Sequence, residues 1–371
     1  MADADDIEAK VFFGYQPDAA EQGVGFGREF TWDIPLREGY ESTVLECRPG
    51  PLPKVRYTSR RAVSIGAELD DFAPDAAMIL GWQNLILVQA ALACRRRKIP
   101  IIFRGESNAK KDRGTAVRAL HRGYLKLASA FLAIGDSNAE FYREAGVAND
   151  RIATARYFVD NERFASSAKE HSSDRDSIRQ SWGIPDGALC ALFAGKLEPK
   201  KRVFDVIEAV RIAAEQSPSI HCLIAGSGEQ MEEARKRAAG LPITFAGFLN
   251  QSEIVKAYAA ADVLVLPSDF GETWGLVVNE AMASGRTAIV SERVGCAGDL
   301  VRDGETGIIT PYADPPAIAA ALMQLADNGN ELARLSANAK ERVREHYSIE
   351  TALAGLRKAI SIVHARSVPK G

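Results

Sequence analysis

Short apolar runs alternate with helical patterns along most of the chain, and this alternation constrains the fold more than any other feature. Such runs, each followed by a helix, are typical of parallel sheets covered by helices. The first half contains five predicted strands, at Ala9–Tyr15, Thr43–Cys47, Ala77–Leu80, Ile99–Phe103 and Ala130–Ile134. The second half contains six, at Leu189–Ala194, His221–Ala225, Ile243–Phe245, Asp262–Pro267, Thr287–Ser291 and Gly307–Thr310. The sequence therefore predicts an α/β protein.

Helical patterns fill the intervals between these runs. They cover Asn84–Arg96, Thr115–Ser129, Val203–Glu215, Glu229–Ala239, Gln251–Ala261, Gly275–Ser284 and Pro315–Asp327. Between the two halves, residues 169–183 turn polar, which predicts a linker leading into a short helix. After His346, an amphipathic helix is expected to close the chain. We therefore expect two doubly wound, Rossmann-like sheets, one in each half, facing a cleft.

Composition and charge exclude several classes of protein. The chain has 371 residues, of which 46% are hydrophobic and 26% charged, so it is too apolar to be disordered. A net charge of −3 argues against a dedicated nucleic-acid binder, and no apolar run approaches the roughly 18 residues of a spanning helix. The first ten residues are acidic, so we expect no signal peptide. Scattered cysteines indicate reduced thiols in a cytoplasmic protein, at Cys47, Cys94, Cys190, Cys222 and Cys296.

One region departs from this even balance of charge. Residues 95–126 carry eleven Lys and Arg against two acidic residues, a net charge of +9. Arg118, Arg122 and Lys126 recur every four residues and therefore share one helical face. The region is either a solvated helix flank or a surface for an anionic acceptor or anionic lipid headgroups. The second alternative predicts a peripheral protein at the inner face of a membrane.

The segment DVLVLPSDFGETWGLVVNEAMASG runs from a buried strand through a loop into a helix. Thr273 is its predicted N-cap, which would leave the amides at Trp274, Gly275 and Leu276 available to a phosphate. Gly275 also permits close approach of a ligand to the backbone. The start of this helix is therefore a candidate anion site.

Two carboxylates, Glu272 and Glu280, flank the start of this helix. Eight helical residues span about 12 Å. The carboxyl groups of a typical glycosidase lie about 5 to 9.5 Å apart, so this pair is a poor candidate for glycoside hydrolysis. The two groups either grip the ends of one extended polar ligand or are simply exposed carboxylates near a helix end.

A second candidate lies in LFAGKLEPKKRV, residues 192–203, where Lys196 and Lys201 follow a predicted strand. Lysines at the start of a helix oppose its dipole, so another interaction is needed to explain them. Two cations at this position suit a diphosphate leaving group, whose charge grows as its bond breaks. A solvated turn is the alternative.

The third candidate is AGSGEQ, in which Gly226 and Gly228 permit a tight strand-to-helix turn. Met231 stands where the third glycine of a dinucleotide fingerprint belongs, so NAD binding is disfavoured. The chain has no G-x-x-x-x-G-K-[ST], G-x-S-x-G or H-E-x-x-H motif. Its Asp-x-Asp triplets do not follow strands, so we expect no catalytic metal.

Taken in order, these motifs resemble those of retaining glycosyltransferases of family 4, which have the GT-B fold. The E-x7-E motif of that family appears as Glu272 and Glu280, and its basic pair as Lys196 and Lys201. Similarity continues through FAGFLNQSEI, ADVLVLPS, VGCAGDLVRDGETGIITP and, in the first half, GDSNAEFYREAGVANDRIATARYFVDNERF. The resemblance implies an acceptor-side domain over residues 1–168, a linker over 169–186 and a donor-binding domain over 187–346. It also implies that the C-terminal helix, within 347–371, packs back on the first domain.

The resemblance also implies roles for single residues. Glu280 would hold the ribose hydroxyls of a nucleotide, and Glu272 would contact the donor sugar. Lys196 and Lys201 would bind the diphosphate. The remaining donor contacts would come from Thr273, Trp274, Gly275 and Leu276 around the helix start, from Gly226, and from backbone near Phe248 and Leu249. The family needs neither a metal nor another cofactor, and its substrates are a nucleotide sugar such as a UDP- or GDP-sugar and an acceptor.

The first half departs from the family in two places. No histidine lies near IPIIFRGESN, where the family commonly carries one. Arg104, Glu106 and Ser107 either line the pocket instead or form a structural turn, and Trp82 either stacks on a sugar or packs in the core. The usual first strand-and-helix unit, with its glycine-bearing loop, is expected to be missing, and residues 23–27 either replace that loop or are plain turns.

The sequence thus predicts an enzyme of polysaccharide biosynthesis that transfers a hexose from a nucleotide-diphosphate sugar to a glycan or lipid-linked acceptor. Retention of anomeric configuration follows from the resemblance. A catalytically impaired nucleotide-sugar binding protein with an incomplete acceptor lobe is the alternative. A nucleotide-sugar epimerase of similar fold is a third, weaker interpretation. Nucleic acid is not an expected partner.

Overall fold

A computed structural model describes residues 4–52, 59–217 and 219–367, and these residues divide into two compact units. Of the described residues, unit 1 comprises 4–17, 35–52, 59–156 and 350–367. Unit 2 comprises 18–34, 157–217 and 219–349. Each unit therefore includes a segment that is distant in sequence from the rest of it.

Unit 1 contains eight of the strands that the structure describes and five of the helices. The strands are β1 (Lys10–Phe13), β2 (Glu41–Val44), β3 (Cys47–Pro49), β4 (Arg60–Ala62), β5 (Ala77–Ile79), β6 (Ile101–Phe103), β7 (Ala130–Ala133) and β8 (Ile152–Thr154). The helices are α2 (Ile65–Phe72), α3 (Leu85–Arg96), α4 (Thr115–Leu125), α5 (Asp136–Glu144) and α14 (Ile349–Ser367), the last from Glu350 onward.

Strands β5 to β8 form a four-stranded parallel sheet in chain order. Phe103 on β6 and Phe131 on β7 lie side by side in this sheet, and both are buried together with Tyr142 of α5. All-parallel sheets are covered by helices on both faces, which explains why their strands are apolar. The predicted strands at β5, β6 and β7 are confirmed, whereas β8 was not predicted.

The start of unit 1 contains the strand predicted at Ala9–Tyr15, but not as part of the four-stranded sheet. Strand β1 pairs in parallel with β2, and β3 pairs antiparallel with β4. Each of these pairs is a separate two-stranded sheet among the described residues. The chain thus has a first strand at the predicted place, but that strand pairs with β2 and not with the four-stranded sheet.

Unit 2 contains the remaining elements. Its strands are β9 (Leu189–Ala194), β10 (Ile220–Ala225), β11 (Ile243–Gly247), β12 (Val263–Leu266), β13 (Thr287–Ser291) and β14 (Gly307–Thr310). Its helices are α1 (Ala19–Gly23), α6 (Asn161–Glu170), α7 (Arg175–Ser181), α8 (Val203–Gln216), α9 (Met231–Arg237), α10 (Ile254–Ala260), α11 (Leu276–Ala283), α12 (Pro315–Asp327) and α13 (Gly329–His346).

The six strands of unit 2 form one parallel sheet in the order β11-β10-β9-β12-β13-β14. This is the doubly wound order 3-2-1-4-5-6, in which the connections change direction between β9 and β12. Every residue of β9, β10 and β12 is buried, which matches the uninterrupted apolar runs of the sequence. In such sheets ligands bind outside the carboxyl ends of the strands at the point of reversal.

The boundary between the units lies between Arg156 and Tyr157, not near residue 169 as expected. The polar stretch was predicted as a linker leading into a short helix; the short helix is present as α7, but the stretch belongs to unit 2. Arg175 and Arg179 on this helix donate hydrogen bonds to the carboxylate of Asp262 and to carbonyls at the end of α10. Polar side chains here bind a helix end, so their polarity does not mark a free linker. Among the described residues, no helix is both long enough and apolar enough to cross a membrane.

Candidate functional site

The candidate site of unit 2 lies at the carboxyl ends of β9, β10 and β12, where the strand order reverses. The loop after β9 carries Lys196 and Lys201, and the loop after β10 starts at Gly226. The loop after β12 carries Glu272 and leads into α11. Because the strands are parallel and adjacent, all three loops leave the sheet at the same edge.

Lys201 and Glu272 form an ion pair between two of these loops. Lys201 ends a short 3-10 turn, Pro199–Lys201, and both charged side chains are mostly buried, with 12% and 16% exposed. The amide of Asp269 donates to the carbonyl of Lys200 at 3.0 Å, which joins the two loops through backbone as well. The structure therefore brings together two residues that lie 71 positions apart in sequence.

Helix α11 begins at Gly275, which is its N-cap. Thr273 was expected in that role, but the chain reaches the helix through a left-handed backbone at Gly275 with φ of +100°. A Cβ at Gly275 would lie 2.9 Å from Leu266, so glycine meets both a steric and a conformational requirement. No described side chain caps α11, and Leu276 is partly exposed, so the first turn of this helix fits the predicted role of an anion site.

Trp274 contributes only backbone to this loop. Its indole is 3% exposed, and Nε1 donates to Asn279 at 2.8 Å. Asn279 donates in turn to the carbonyl of Tyr157 at 3.0 Å. Thus the Trp274 side chain anchors the loop in the core of unit 2.

Glu280, on α11, accepts a hydrogen bond from the hydroxyl of Tyr258 at 2.5 Å. Tyr258 is fully buried on α10 and packs edge-on against Phe164. Burial raises the pKa of Glu280 to about 7, although the Tyr258 hydroxyl and the charge of Arg163 both lower it. Glu280 is therefore a partly buried acceptor with one oxygen already fixed. Nothing in the sequence pattern distinguishes Tyr258 from an ordinary core aromatic residue.

Gly226 lets two neighbouring strand ends approach closely. A Cβ at Gly226 would lie 1.8 Å from the carbonyl oxygen of Gly195, and its φ of +150° disfavours any side chain. Its amide donates to the carbonyl of Gly247 at 2.7 Å. This glycine thus serves strand packing directly, besides any contact with a donor.

Lys196 and Phe248 contact residues 23–27, the segment that the sequence offered either as a replacement for the family's glycine-bearing loop or as plain turns. The ammonium of Lys196 donates to the carbonyl of Val24 at 2.8 Å, and the ring of Phe248 contacts Phe26. Leu249 is partly buried next to Phe248 in the chain. The three aromatic residues of FGREFTW were the feature of the sequence from which these contacts could have been predicted.

Four further candidates belong to unit 1. Trp82 stacks on the rings of Phe103 at 5.2 Å and His121 at 4.5 Å, as a residue packed into the unit 1 core does. The Arg104–Ser107 segment, which includes Glu106, follows β6 and is held by two side chains of α5. Tyr142 bonds the backbone of Gly105, and Asn138 donates to the carbonyl of Ser107. This segment therefore has the contacts of a structural turn within unit 1.

The part of the chain that contains this site is similar to known glycosyltransferases. Residues 174–342 match the family model described as glycosyl transferases group 1, a range that includes the candidate residues of unit 2. A D-inositol 3-phosphate glycosyltransferase of Streptomyces coelicolor is 32% identical over 58% of this chain and 51% of its own length. A glycogen synthase of Mycobacterium tuberculosis is 32% identical over 43% of this chain and 39% of its own. The chain spans about half the length, or less, of the curated relatives it matches.

Solved structures extend the likeness to nearly the whole chain. The crystal structure of Anabaena HepE in complex with UDP and glucose has a TM-score of 0.72 at 17% identity, covering 96% of this chain and all of that one. A sucrose-phosphate synthase from Thermosynechococcus elongatus has a TM-score of 0.69 at 17% identity, covering 97% and 90%. The fold of this chain is the GT-B fold of these glycosyltransferases.

Proposed function

We propose that this chain is a retaining glycosyltransferase of family 4 that transfers a hexose from a nucleotide-diphosphate sugar to a glycan or lipid-linked acceptor. The ion pair of Lys201 and Glu272 beside the start of α11 carries the proposal. The match of residues 174–342 to group 1 glycosyltransferases supports it, as does the HepE complex with UDP and glucose.

Different residues of the site would contact different parts of the donor. Glu280 would accept hydrogen bonds from ribose hydroxyls, and backbone near Phe248 and Leu249 would contact the nucleobase. Lys196, Lys201 and the first amides of α11 would face the diphosphate. When the bond to the anomeric carbon breaks, negative charge grows on the diphosphate, and these donors stabilise it most strongly at that point.

The pairing of Lys201 with Glu272 gives this site two states. Without donor, each side chain neutralises the other in a mostly buried position. A diphosphate would take over Lys201, and Glu272 would then accept a hydrogen bond from a sugar hydroxyl. Since lysines and helix amides supply the positive charge, the proposed reaction needs no metal.

Two lysines in one turn offer a matched test. Lys201 is mostly buried against Glu272, whereas Lys200 is half-exposed and pairs with Glu198 at 3.1 Å. Lys201→Met should weaken binding of UDP, measured by calorimetry, about 10-fold or more, because a charge-assisted contact contributes about 1.5–3 kcal/mol. Lys200→Met should leave it unchanged. Equal effects of the two variants on nucleotide binding would contradict the proposal.

Turnover separates the enzyme from a catalytically impaired nucleotide-sugar binding protein. The contact of Lys196 with Val24 favours the second alternative, because a donor-binding cation is already engaged. Release of free nucleotide beyond one equivalent from a UDP- or GDP-sugar indicates an enzyme. Binding without release indicates the alternative. A chelator should not change the rate of an enzyme of the proposed type.

The basic region of residues 95–126 supports an acceptor at an anionic membrane surface, with the protein peripheral at its inner face. Helix α4 exposes Leu120 by 72% and Val117 by 45%, alongside the cationic Arg118 and Arg122. A face of this kind suits the lipid–water boundary. Co-sedimentation with phosphatidylglycerol vesicles should exceed that with phosphatidylcholine and weaken as salt rises. Equal binding to both lipids would contradict this assignment.

A further inference from the structure

Residues Asp18–Ile34, which we name the strap, form part of unit 2 although unit 1 residues precede and follow them in sequence. The strap begins with α1, whose first turn is closed by reciprocal hydrogen bonds between Asp18 and Glu21. Its far end is bound through Thr31, whose carbonyl accepts from Asn250 at 2.8 Å. Asp33 accepts from the amide of Ser252 at 3.2 Å and from its hydroxyl. The strap is therefore closed by local hydrogen bonds at its start and bound to the loop after β11 at its end.

The middle of the strap lies on the candidate donor site. The ammonium of Lys196 donates to the carbonyl of Val24 at 2.8 Å and lies 4.9 Å from the centre of the Phe26 ring. Gly25 is so near that a Cβ there would lie 3.0 Å from the Lys196 side chain. The hydroxyl of Ser227, next to Gly226, donates to the carbonyl of Phe26. Backbone and ring of the strap thus engage the loops after β9 and β10.

An aromatic cluster continues this contact to the loop after β11. The ring of Phe248 lies 5.0 Å from Phe26 and 4.4 Å from Phe30. Phe30 is buried and also packs edge-on against Trp32 at 4.8 Å. The guanidinium of Arg28 lies over the same Phe248 ring at 5.1 Å. Phe248 therefore interacts with three strap residues.

The groups that the strap engages are those assigned to the donor nucleotide under the proposed function. Lys196 is assigned to the diphosphate, Phe248 and its neighbour to the nucleobase, and Gly226 to the turn between them. We propose that the strap, through Phe26, occupies the nucleotide part of the donor site, so that strap and nucleotide compete for Lys196 and Phe248. This inference rests on the proposed function.

Competition has a measurable consequence for affinity. If the strap covers the site most of the time, the apparent dissociation constant is the intrinsic one divided by the open fraction. Weakening the strap raises that fraction and tightens nucleotide binding. A strap that formed a fixed wall of the site would have the opposite effect, because its loss would remove contacts to the nucleotide.

The test compares four chains: the unaltered protein, Phe26→Ala, Asp33→Ala and the control Phe12→Ala. The first variant removes the ring that contacts Lys196 and Phe248. The second loosens the strap at Ser252 and leaves every ring in place. Phe12→Ala, in β1 of unit 1, is the control for removal of a half-buried ring.

Two measurements are made on each chain. Calorimetry with UDP should show roughly 10-fold tighter binding for Phe26→Ala and about 3-fold for Asp33→Ala, with Phe12→Ala unchanged. Trypsin, which cleaves after the exposed Arg28, should cut both strap variants faster than the unaltered chain without nucleotide. Added UDP should accelerate this cleavage in the unaltered protein.

Weaker or equal UDP binding by both strap variants, or protection of Arg28 by UDP, would overturn the competition. Absence of UDP binding in all chains, Phe26→Ala included, would overturn the proposed function, and the inference with it. UDP binding by Phe26→Ala alone would support the inference strongly.

Discussion

The two units build parallel sheets under different constraints. In unit 2 the strand ends beside the candidate site approach so closely that Gly226 and Gly195 touch through backbone atoms, and β9 and β10 are six residues long and fully buried. In unit 1 the strands of the four-stranded sheet have only three or four residues. We therefore expect substitutions at the strand ends of unit 2 to destabilise the protein more than substitutions in unit 1.

Glycine substitutions should give the largest difference in stability between the two units. Gly226→Ala places a Cβ against the Gly195 carbonyl, so we expect a loss of at least about 4 kcal/mol in the free energy of unfolding. Gly146 of unit 1 also has a positive φ, of +87°, but has no atom within 4 Å of an added Cβ. Gly146→Ala should cost only about 1 kcal/mol. Urea titrations followed by circular dichroism measure both, and similar losses would contradict the contrast.

Each unit contains a carboxylate with a shifted pKa, and the two shifts have opposite signs. The pKa of Glu280 rises from 4.5 to about 7 by burial, so the folded state holds this proton more tightly than the unfolded state. Its contribution to stability is present below pH 4.5 and is lost as pH rises to about 7, a change of about 3 kcal/mol. In unit 1 the hydrogen bond from Arg97 lowers the pKa of Asp70, which favours folding at higher pH.

Glu280→Gln removes the first of these contributions. Between pH 5 and 8 the variant should therefore lose less stability than the unaltered chain, as thermal unfolding in a series of buffers would measure. Asp70→Asn serves as the control in unit 1: the pKa of Asp70 is lowered from 3.8, so its contribution is already complete at pH 5 and its loss should leave the pH dependence between pH 5 and 8 unchanged. A Glu280→Gln profile parallel to that of the unaltered chain would be inconsistent with a carboxylate of raised pKa.

Two buried tyrosines, one in each unit, should show a smaller difference in how stability depends on pH. Tyr258→Phe removes the hydroxyl that lowers the pKa of Glu280, and it should cost about 2 kcal/mol at pH 8 and less at pH 5, where Glu280 is protonated. Tyr142 of unit 1 instead bonds the neutral backbone of Gly105. Tyr142→Phe should cost about 1 kcal/mol at both values. A pH-independent loss for Tyr258→Phe would show that its hydroxyl does not bond a titrating group.

The smallest expected effect is a gain in unit 1. Gly123 lies within α4, is exposed and has no atom within 4 Å of an added Cβ. Gly123→Ala should raise the free energy of unfolding by about 0.5–1 kcal/mol, because alanine loses less backbone entropy in a helix. Thermal unfolding measures this gain in stability. A loss would mean that the added methyl group clashes with a neighbouring group.

The same contrast explains how far the sequence predicted each unit. Strands β9, β13 and β14 have the predicted bounds. The residues of β9 and β13 are all buried, and a strand buried on both faces leaves an unbroken apolar run in the sequence. Short strands such as β4 and β8 leave no such run, and helices α5 and α6 were not predicted.

Prediction of the candidate site has a similar limit. Lys201 and Glu272 were identified from local motifs, and the structure pairs them. Residues 23–27, which the sequence offered as a replacement for the family's glycine-bearing loop or as plain turns, do contact Lys196. Tyr258 and the aromatic contacts of the strap were missed, because these contacts join residues that are distant in sequence and carry no spacing pattern of their own. The short helix expected in the polar stretch is present as α7, but the stretch lies within unit 2 and does not link the units. In a sequence, charged side chains that bind a helix end look the same as solvated ones.

The strap also bears on the order in which the chain can fold. Thr31 and Asn250 are 219 residues apart, so the strap cannot dock until most of unit 2 has been synthesised. Closing so long a loop is entropically costly, and contacts of such high sequence separation form late. Until then Phe26, Phe30 and Trp32 have no partner outside the strap and remain exposed, which favours aggregation of the nascent chain. Arg357 and Asp6, 351 residues apart, impose a similar delay on unit 1. We therefore expect slow final steps of folding, in which each unit waits for a segment encoded far away.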